Sequence, residues 1–274
     1  HRPTSFTQTL DAGDVATRQL HLENQGGSNL TFATSVRALG GTPVTQYPEI
    51  ELKKDEEDPR PGILGSGGPD LFGYRWKDSD EPGGPSFAWT DISTIGTPIT
   101  ALTGDDQNSG PFPIGFNFPF YGNSFSTVRV CTNGWLSFTS TSTDLGNSPL
   151  PNTGEPENLV AAFWDDLHFR GTVRAHYYND GTRFIVQYTD VDRFSTSEQP
   201  SPAHLTFQVI LHPSGKITIQ YLTMSGFMTS NTVGIQNSTR NDGLTVAHNT
   251  AYVHNNMAVE FRTPVDFLSV SPSS

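Results

Sequence analysis

Between Phe112 and Phe120 apolar residues fall at every second position: Phe112, Ile114, Phe116, Phe118 and Phe120. A period of two lets a strand bury one face and leave the other in water, and a helix has no use for it. Farther on, Asn133-Gly134 separates Val128-Arg129-Val130-Cys131-Thr132 from Trp135-Leu136-Ser137-Phe138. That dipeptide tolerates positive φ at both central turn positions, so the segment is expected to be a hairpin closed by a tight primed turn. Phe116, Phe118, Val130, Leu136, Phe163 and Ile185 are the expected core. Nothing in this pattern prepares a nucleophile, a phosphate cradle or a cofactor crevice, so the module is expected to work through its surface.

The same alternation continues downstream. Strands are expected over 113–120, 126–132, 135–139, 158–165, 172–178, 183–190, 204–212, 216–222, 231–237, 244–249 and 257–262. Turn residues such as Asn179-Asp180-Gly181, Pro213-Ser214-Gly215 and Asn241-Asp242-Gly243 join several of them at hairpin spacing. Such a ladder predicts a two-sheet antiparallel sandwich. The 274 residues leave room for one large or two ordinary domains. With 26 glycines and 20 prolines the chain suits many short strands rather than long helices.

Only 16% of residues are charged, so the polar surface is made largely of Ser, Thr, Asn, Gln and Gly, as is common in secreted β proteins. The net charge of -12 repels nucleic-acid phosphate and disfavours an anionic membrane surface, while leaving calcium or a cationic partner open. No apolar run of about 18 residues is present to insert in a membrane as a helix. Cys131 is the single cysteine and therefore has no intrachain disulfide partner; its place on an alternating strand predicts a small buried apolar residue. The sequence starts at His1 without a signal-like stretch, which leads us to expect a processed or excised polypeptide.

Three groups of residues do more than alternate. Pro113-Ile114-Gly115-Phe116 with Phe118-Pro119-Phe120-Tyr121-Gly122, the Thr132 to Phe138 hairpin, and Asn158-Leu159-Val160-Ala161-Ala162-Phe163-Trp164-Asp165-Asp166-Leu167 resemble the extracellular nidogen-like β-sandwich. They resemble even more a module of large secreted bacterial proteins that often lies downstream of subtilisin-type protease domains. Gly73 to Pro85 is similar to the opening of that module and Thr232 to Asn237 to its late strands. The resemblance covers about residues 70 to 262 and implies an extracellular or cell-surface location.

The fold class expected is thus all-β: an antiparallel sandwich of jelly-roll or nidogen-like type over 73–262, plus a partial immunoglobulin-like β unit over 1–39. Residues 40–72 hold five prolines, a charged cluster and Gly65-Ser66-Gly67-Gly68, and are expected to be a linker or surface excursion. Residues 263–274 are expected to form a terminal strand that returns to the first unit or is donated to a neighbour. The first unit resembles the opening of immunoglobulin-like repeats of bacterial surface proteins, with about four strands where about seven complete such a sandwich. Phe6, Leu10, Leu20, Leu22, Phe32, Val265, Phe267, Leu268 and Val270 would then lie at an interface.

Carboxylates gather in Asp78-Ser79-Asp80-Glu81, Asp105-Asp106 and Asp165-Asp166. Hard cations take oxygen ligands from converging loops, so these seven acidic residues are the candidate calcium ligands, with turn and cap roles as the alternative. Asp165 and Asp166, adjacent on an expected strand, would face opposite ways and cannot by themselves form a catalytic pair. The eight histidines have no metal-protease spacing, and no Gly-x-Ser-x-Gly elbow or phosphate loop is present. Trp76, Phe87, Trp89, Trp135 and Trp164 are candidates for a sugar-stacking platform, although most sit in patterns that predict core. The expectation is a non-enzymatic structural or adhesion module of a bacterial surface protein or fibre, without an essential cofactor, that partners copies of itself or neighbouring domains. The alternative is a carbohydrate- or protein-binding module that targets a secreted protease or other hydrolase.

Overall fold

A computed structural model describes residues 65–194 and 203–262. The expectations for 1–39 and 263–274, and for most of 40–72, lie outside the described residues, as do the nine interface candidates from Phe6 to Val270. The described residues belong to one compact unit and contain no helix.

In chain order the strands are β1 (Ser66–Gly67), β2 (Arg75–Asp78), β3 (Thr97–Pro98), β4 (Asn108–Phe120) and β5 (Asn123–Cys131). Next come β6 (Trp135–Ser137), β7 (Leu159–Trp164), β8 (Leu167–His168), β9 (Ala175–Asn179) and β10 (Phe184–Arg193). The last five are β11 (His204–Leu211), β12 (Ile217–Ser225), β13 (Thr232–Gln236), β14 (Gly243–His248) and β15 (Met257–Arg262). One sheet has the order β1-β2-β15-β12-β11-β10-β9-β3, with β8 also pairing β10; the other has the order β14-β13-β7-β6-β5-β4. Every pairing is antiparallel. The all-β sandwich expected from the alternation is the fold, and each of the eleven expected strands is present within a few residues of its expected bounds.

Alternation decides what faces the interior. Phe184, Val186 and Tyr188 of β10 join Phe207 and Val209 of β11 and Ile219 and Tyr221 of β12 in one core with Ile114, Phe118, Val130, Leu136 and Phe163 of the other sheet. Tyr188 stacks on Phe207 at 4.6 Å between ring centroids, and Phe163 reaches Phe207 from the opposite sheet at 6.3 Å. Two phenols pin the sheets together. The Tyr188 hydroxyl donates to the Cys131 carbonyl and the Tyr221 hydroxyl to the Ala162 carbonyl, both at 2.7 Å. Burial pushes both hydroxyls well above the ordinary tyrosine range, so they stay neutral donors.

The outer faces are covered as well. Gln187, Gln208 and Gln220 stand in register across β10, β11 and β12, all buried. They grip a strap over 84–92: Gln220 exchanges two hydrogen bonds with the Ala88 backbone, Gln208 donates to the Thr90 carbonyl, and Gln187 accepts from the Ile92 amide at 2.9 Å. On the other sheet, the indoles of Trp135 and Trp164 both donate to the Asp144 carbonyl at 3.0 Å, which holds the loop between β6 and β7 over Cys131, Leu159 and Ala161. Burial raises the Cys131 thiol far above its ordinary pKa, consistent with its expected role as an inert apolar residue.

Edges are blunted. β1 and β3 are two residues long, and β4 carries Pro111, Pro113 and Pro119. The Asn179 side chain also donates to the Ile114 carbonyl of β4.

Two expectations are corrected. Phe116 is half-buried rather than a core residue. The register of β4 against β5 shifts between Pro113 and Phe118, where Gly115 adopts φ 89°, and the bulge turns Phe116 away from full cover. The Asn133-Gly134 turn is not a two-residue primed turn either. Cys131 pairs with Trp135, leaving three residues between them, and only Gly134 has positive φ, at 75°. Asn133 is otherwise engaged: its amide nitrogen donates to Asp106 and to the Thr143 carbonyl, and its oxygen accepts from the Leu167 amide.

Candidate functional site

The seven acidic candidates divide into three environments. Asp78, at the end of β2, is buried; one of its oxygens accepts from the amides of Asp80 and Glu81, and the Tyr252 hydroxyl donates to the other. Asp80 is exposed and meets His254 Nε2 at 2.8 Å, which raises the imidazole above its ordinary pKa. Asp78 is therefore a turn cap.

Asp165 and Asp166 occupy the break between β7 and β8 rather than a continuous strand. Asp165 is fully buried and meets Arg193 Nε at 2.5 Å, while the Ser230 hydroxyl donates to the same carboxylate at 2.7 Å. The Arg193 guanidinium lies 4.9 Å from the centroid of the Phe227 ring. This ion pair ties β10 to the β7–β8 corner and to the segment before β13.

Asp166 goes elsewhere. Its carboxylate, with those of Asp105 and Asp106, offers oxygens that all lie within 4.8 Å of one another. Burial, with the charge of Asp106, lifts Asp105 above the ordinary carboxylate range, and His168 and Arg170 partly offset this. The fold thus brings three of the seven candidates together; Asp78, Asp80, Glu81 and Asp165 do not join them. Three carboxylates can supply part of the six to eight oxygens that calcium takes, leaving the remainder to carbonyls or water.

The aromatic candidates also separate. Trp76, Trp135 and Trp164 are buried. Phe87 and Trp89 are half-buried on the strap, their rings 6.4 Å apart and within 20° of parallel.

This sandwich, with its covered faces, agrees with the comparison of sequences. The family model described as NIDO related matches residues 84–267, well over half of the 274 residues. The chain belongs to the NIDO-related, or nidogen-related, family. No solved structure matches it. Membership points to an extracellular-type module, and among the described residues no helix is long and apolar enough to cross a membrane.

Sequence reading missed one feature of this NIDO-related chain. Four successive amides just before β2 are shared between two carboxylates: Leu71 and Phe72 donate to Asp242, and Gly73 and Tyr74 donate to Asp70. The Tyr121 hydroxyl completes the coordination of Asp70 at 2.7 Å. The clamp holds out Leu71, 85% exposed, and Phe72, 40% exposed. Asp242 stands 171 positions beyond Leu71, and no local pattern could couple them.

Burial pushes the Asp70 carboxyl up to about 6; the Tyr121 hydrogen bond works against this and the Asp242 charge adds to it. An unfolded aspartate titrates near 3.8, so the folded state binds the proton more tightly. This group therefore destabilises the fold most above pH 6, and that penalty is relieved as pH falls from about 6 towards about 4. In thermal melts, wild type should gain on Asp70→Asn as pH falls from about 7.5 to about 4.5, by at most about 3 kcal/mol. A difference between the two that does not vary with pH would show that Asp70 does not titrate as described.

Proposed function

We propose that this chain is a non-enzymatic extracellular module that builds or attaches a bacterial surface protein or fibre. The observation that carries the reading is that the sandwich is occupied throughout: its interior is packed, both outer faces are strapped, and its buried Asp165–Arg193 pair fastens strands together. Such a body is a rigid spacer whose partners meet it from outside. Family membership supports an extracellular setting.

Assembly is proposed to proceed by strand donation through the termini, because three of the four sandwich edges, β1, β3 and β4, are poor templates. Edges of two residues, or interrupted by proline, do not readily accept a further strand. The segments 4–10, with apolar Phe6 and Leu10, and 265–270, with apolar Val265, Phe267, Leu268 and Val270, are the proposed donors, in a head-to-tail contact that need not close into a ring. Light scattering and electron microscopy of the full chain against one lacking 264–274 test this. Polymers that vanish on deletion while the sandwich melts normally are expected; a full chain that stays monomeric at high concentration would overturn it.

A second reading, a binding module that targets an attached secreted protease or other hydrolase, is favoured by one observation. Phe87 and Trp89 present partly exposed rings beside each other on the strap.

A further inference from the structure

We infer that Phe87 and Trp89 form a stacking platform for a pyranose ring of a glycan, an inference that rests on the binding-module reading and gives it a ligand class. Three of the four tryptophans are buried, and their indoles or ring faces are used inside the fold. Trp89 is the exception. Neither it nor Phe87 belongs to any of the three apolar clusters of the described residues. Two large rings have thus been kept off a core that absorbs most of the other aromatic side chains.

Their geometry follows from the strap. In an extended segment, residues two apart project to the same side, and the near-parallel rings 6.4 Å apart fit that arrangement. The backbone between and beside them cannot easily yield. Ala88 is held through both its amide and its carbonyl by Gln220, the Thr90 carbonyl is held by Gln208, and the Ile92 amide is held by Gln187. Arg183 Nη2 donates to the Thr90 hydroxyl at 3.0 Å. Burying four amide-bearing contacts to fix a strap with no regular structure is a means of pre-organisation, and a surface fixed in advance loses less entropy on binding.

The ligand class follows from the size and setting of the rings. Two rings make a narrow apolar strip, too small to hold a helix or a protein interface of ordinary area. An aromatic face suits a flat apolar surface, and a pyranose offers one in its axial C–H groups while its hydroxyls point outward. A polar group is available to meet such hydroxyls: Asp91, two residues after Trp89 and so on the same side of the strap by this alternation, is exposed and offers a carboxylate. A proline-rich peptide is the competing ligand for a strip of this kind, and the test separates the two.

The test uses the full chain on an array of oligosaccharides, with pull-down on insoluble cellulose and chitin and a proline-rich peptide as a further probe. Saturable binding to at least one glycan is expected, weakened about tenfold or more by Trp89→Ala and by Phe87→Ala. Trp89→Gln serves if the alanine variant lowers the melting temperature, and Leu71→Ser, an exposed apolar site elsewhere, should leave binding unchanged. Titration with acrylamide gives a second readout, since bound glycan should protect part of the tryptophan fluorescence in wild type and none in Trp89→Phe. Absence of glycan binding, binding that both ring variants leave intact, or preference for the peptide would overturn the inference. If the chain binds a protein or peptide target and no sugar, the platform falls while the binding-module reading stands.

Discussion

Replacing Arg193 by Met is expected to destabilise the fold by about 3–5 kcal/mol, because it leaves the Asp165 carboxylate buried without its counter-charge. Asp165 is wholly shielded from solvent and the pair meets at 2.5 Å, so water cannot take over the role of the guanidinium. Ser230 would remain as one hydrogen-bond donor to the carboxylate. Urea unfolding monitored by tryptophan fluorescence reads the loss. The cause is separable from simple cavity formation. Changing Asp165 to Leu in the same chain should recover much of the stability, since an apolar pair carries no desolvation cost. If Arg193→Met costs less than about 1 kcal/mol, the pair is not the fastening described.

The second large effect is expected at Gly134. It has φ 75°, and a Cβ built there would lie 2.0 Å from the Phe163 carbonyl oxygen and 2.9 Å from Leu167 Cδ1. Its own carbonyl accepts hydrogen bonds from the Ala162 and Phe163 amides, so the turn cannot back away without losing them. Gly134→Ala should cost roughly 2–4 kcal/mol, from the unfavourable φ and the collision with β7 together. Gly181 supplies the control. It has φ 87° but nothing within 4 Å of a built Cβ, so Gly181→Ala should cost only about 1 kcal/mol. Equal losses in the two variants would mean that close approach at Gly134 plays no part.

The contrast between these glycines shows what the sequence could and could not convey. Period-two alternation located strands such as β4 and β5, because a half-buried strand writes its own face into the side-chain order, whereas β7 and β13, buried on both faces, showed only as apolar runs bounded by turn residues. The two-residue strands β1, β3 and β8 and the four-residue β2 left no such trace, being too short to show a period. Asn133-Gly134 announced a hairpin correctly, but its turn type depended on Asp106, Thr143 and Leu167 holding the Asn133 side chain. Phe116 keeps the phase of its buried neighbours Ile114 and Phe118 but, beside the irregularity at Gly115, packs only partly against the core.

The acidic residues were even less legible one by one. Asp165 and Asp166 are adjacent and chemically alike, yet one is spent on Arg193 and the other faces Asp105 and Asp106. That division is set by residues 28 and about 60 positions away, which sequence proximity does not encode. In the same way, nothing local distinguishes Trp89 from Trp135 or Trp164. What separates them is that the latter two converge on the Asp144 carbonyl beneath a loop, whereas Trp89 rides on a strap whose own fastening is made by glutamines below it.

The central claim is that the sandwich is complete in itself, with covered faces and with β1, β3 and β4 as blunted edges. Its most direct measurement is the solution behaviour of residues 65–262 alone, by analytical ultracentrifugation and urea unfolding. The account predicts a cooperative unfolding transition and a monomer at all concentrations tested. A fragment that polymerises through its own edges, or that fails to fold cooperatively, would contradict it.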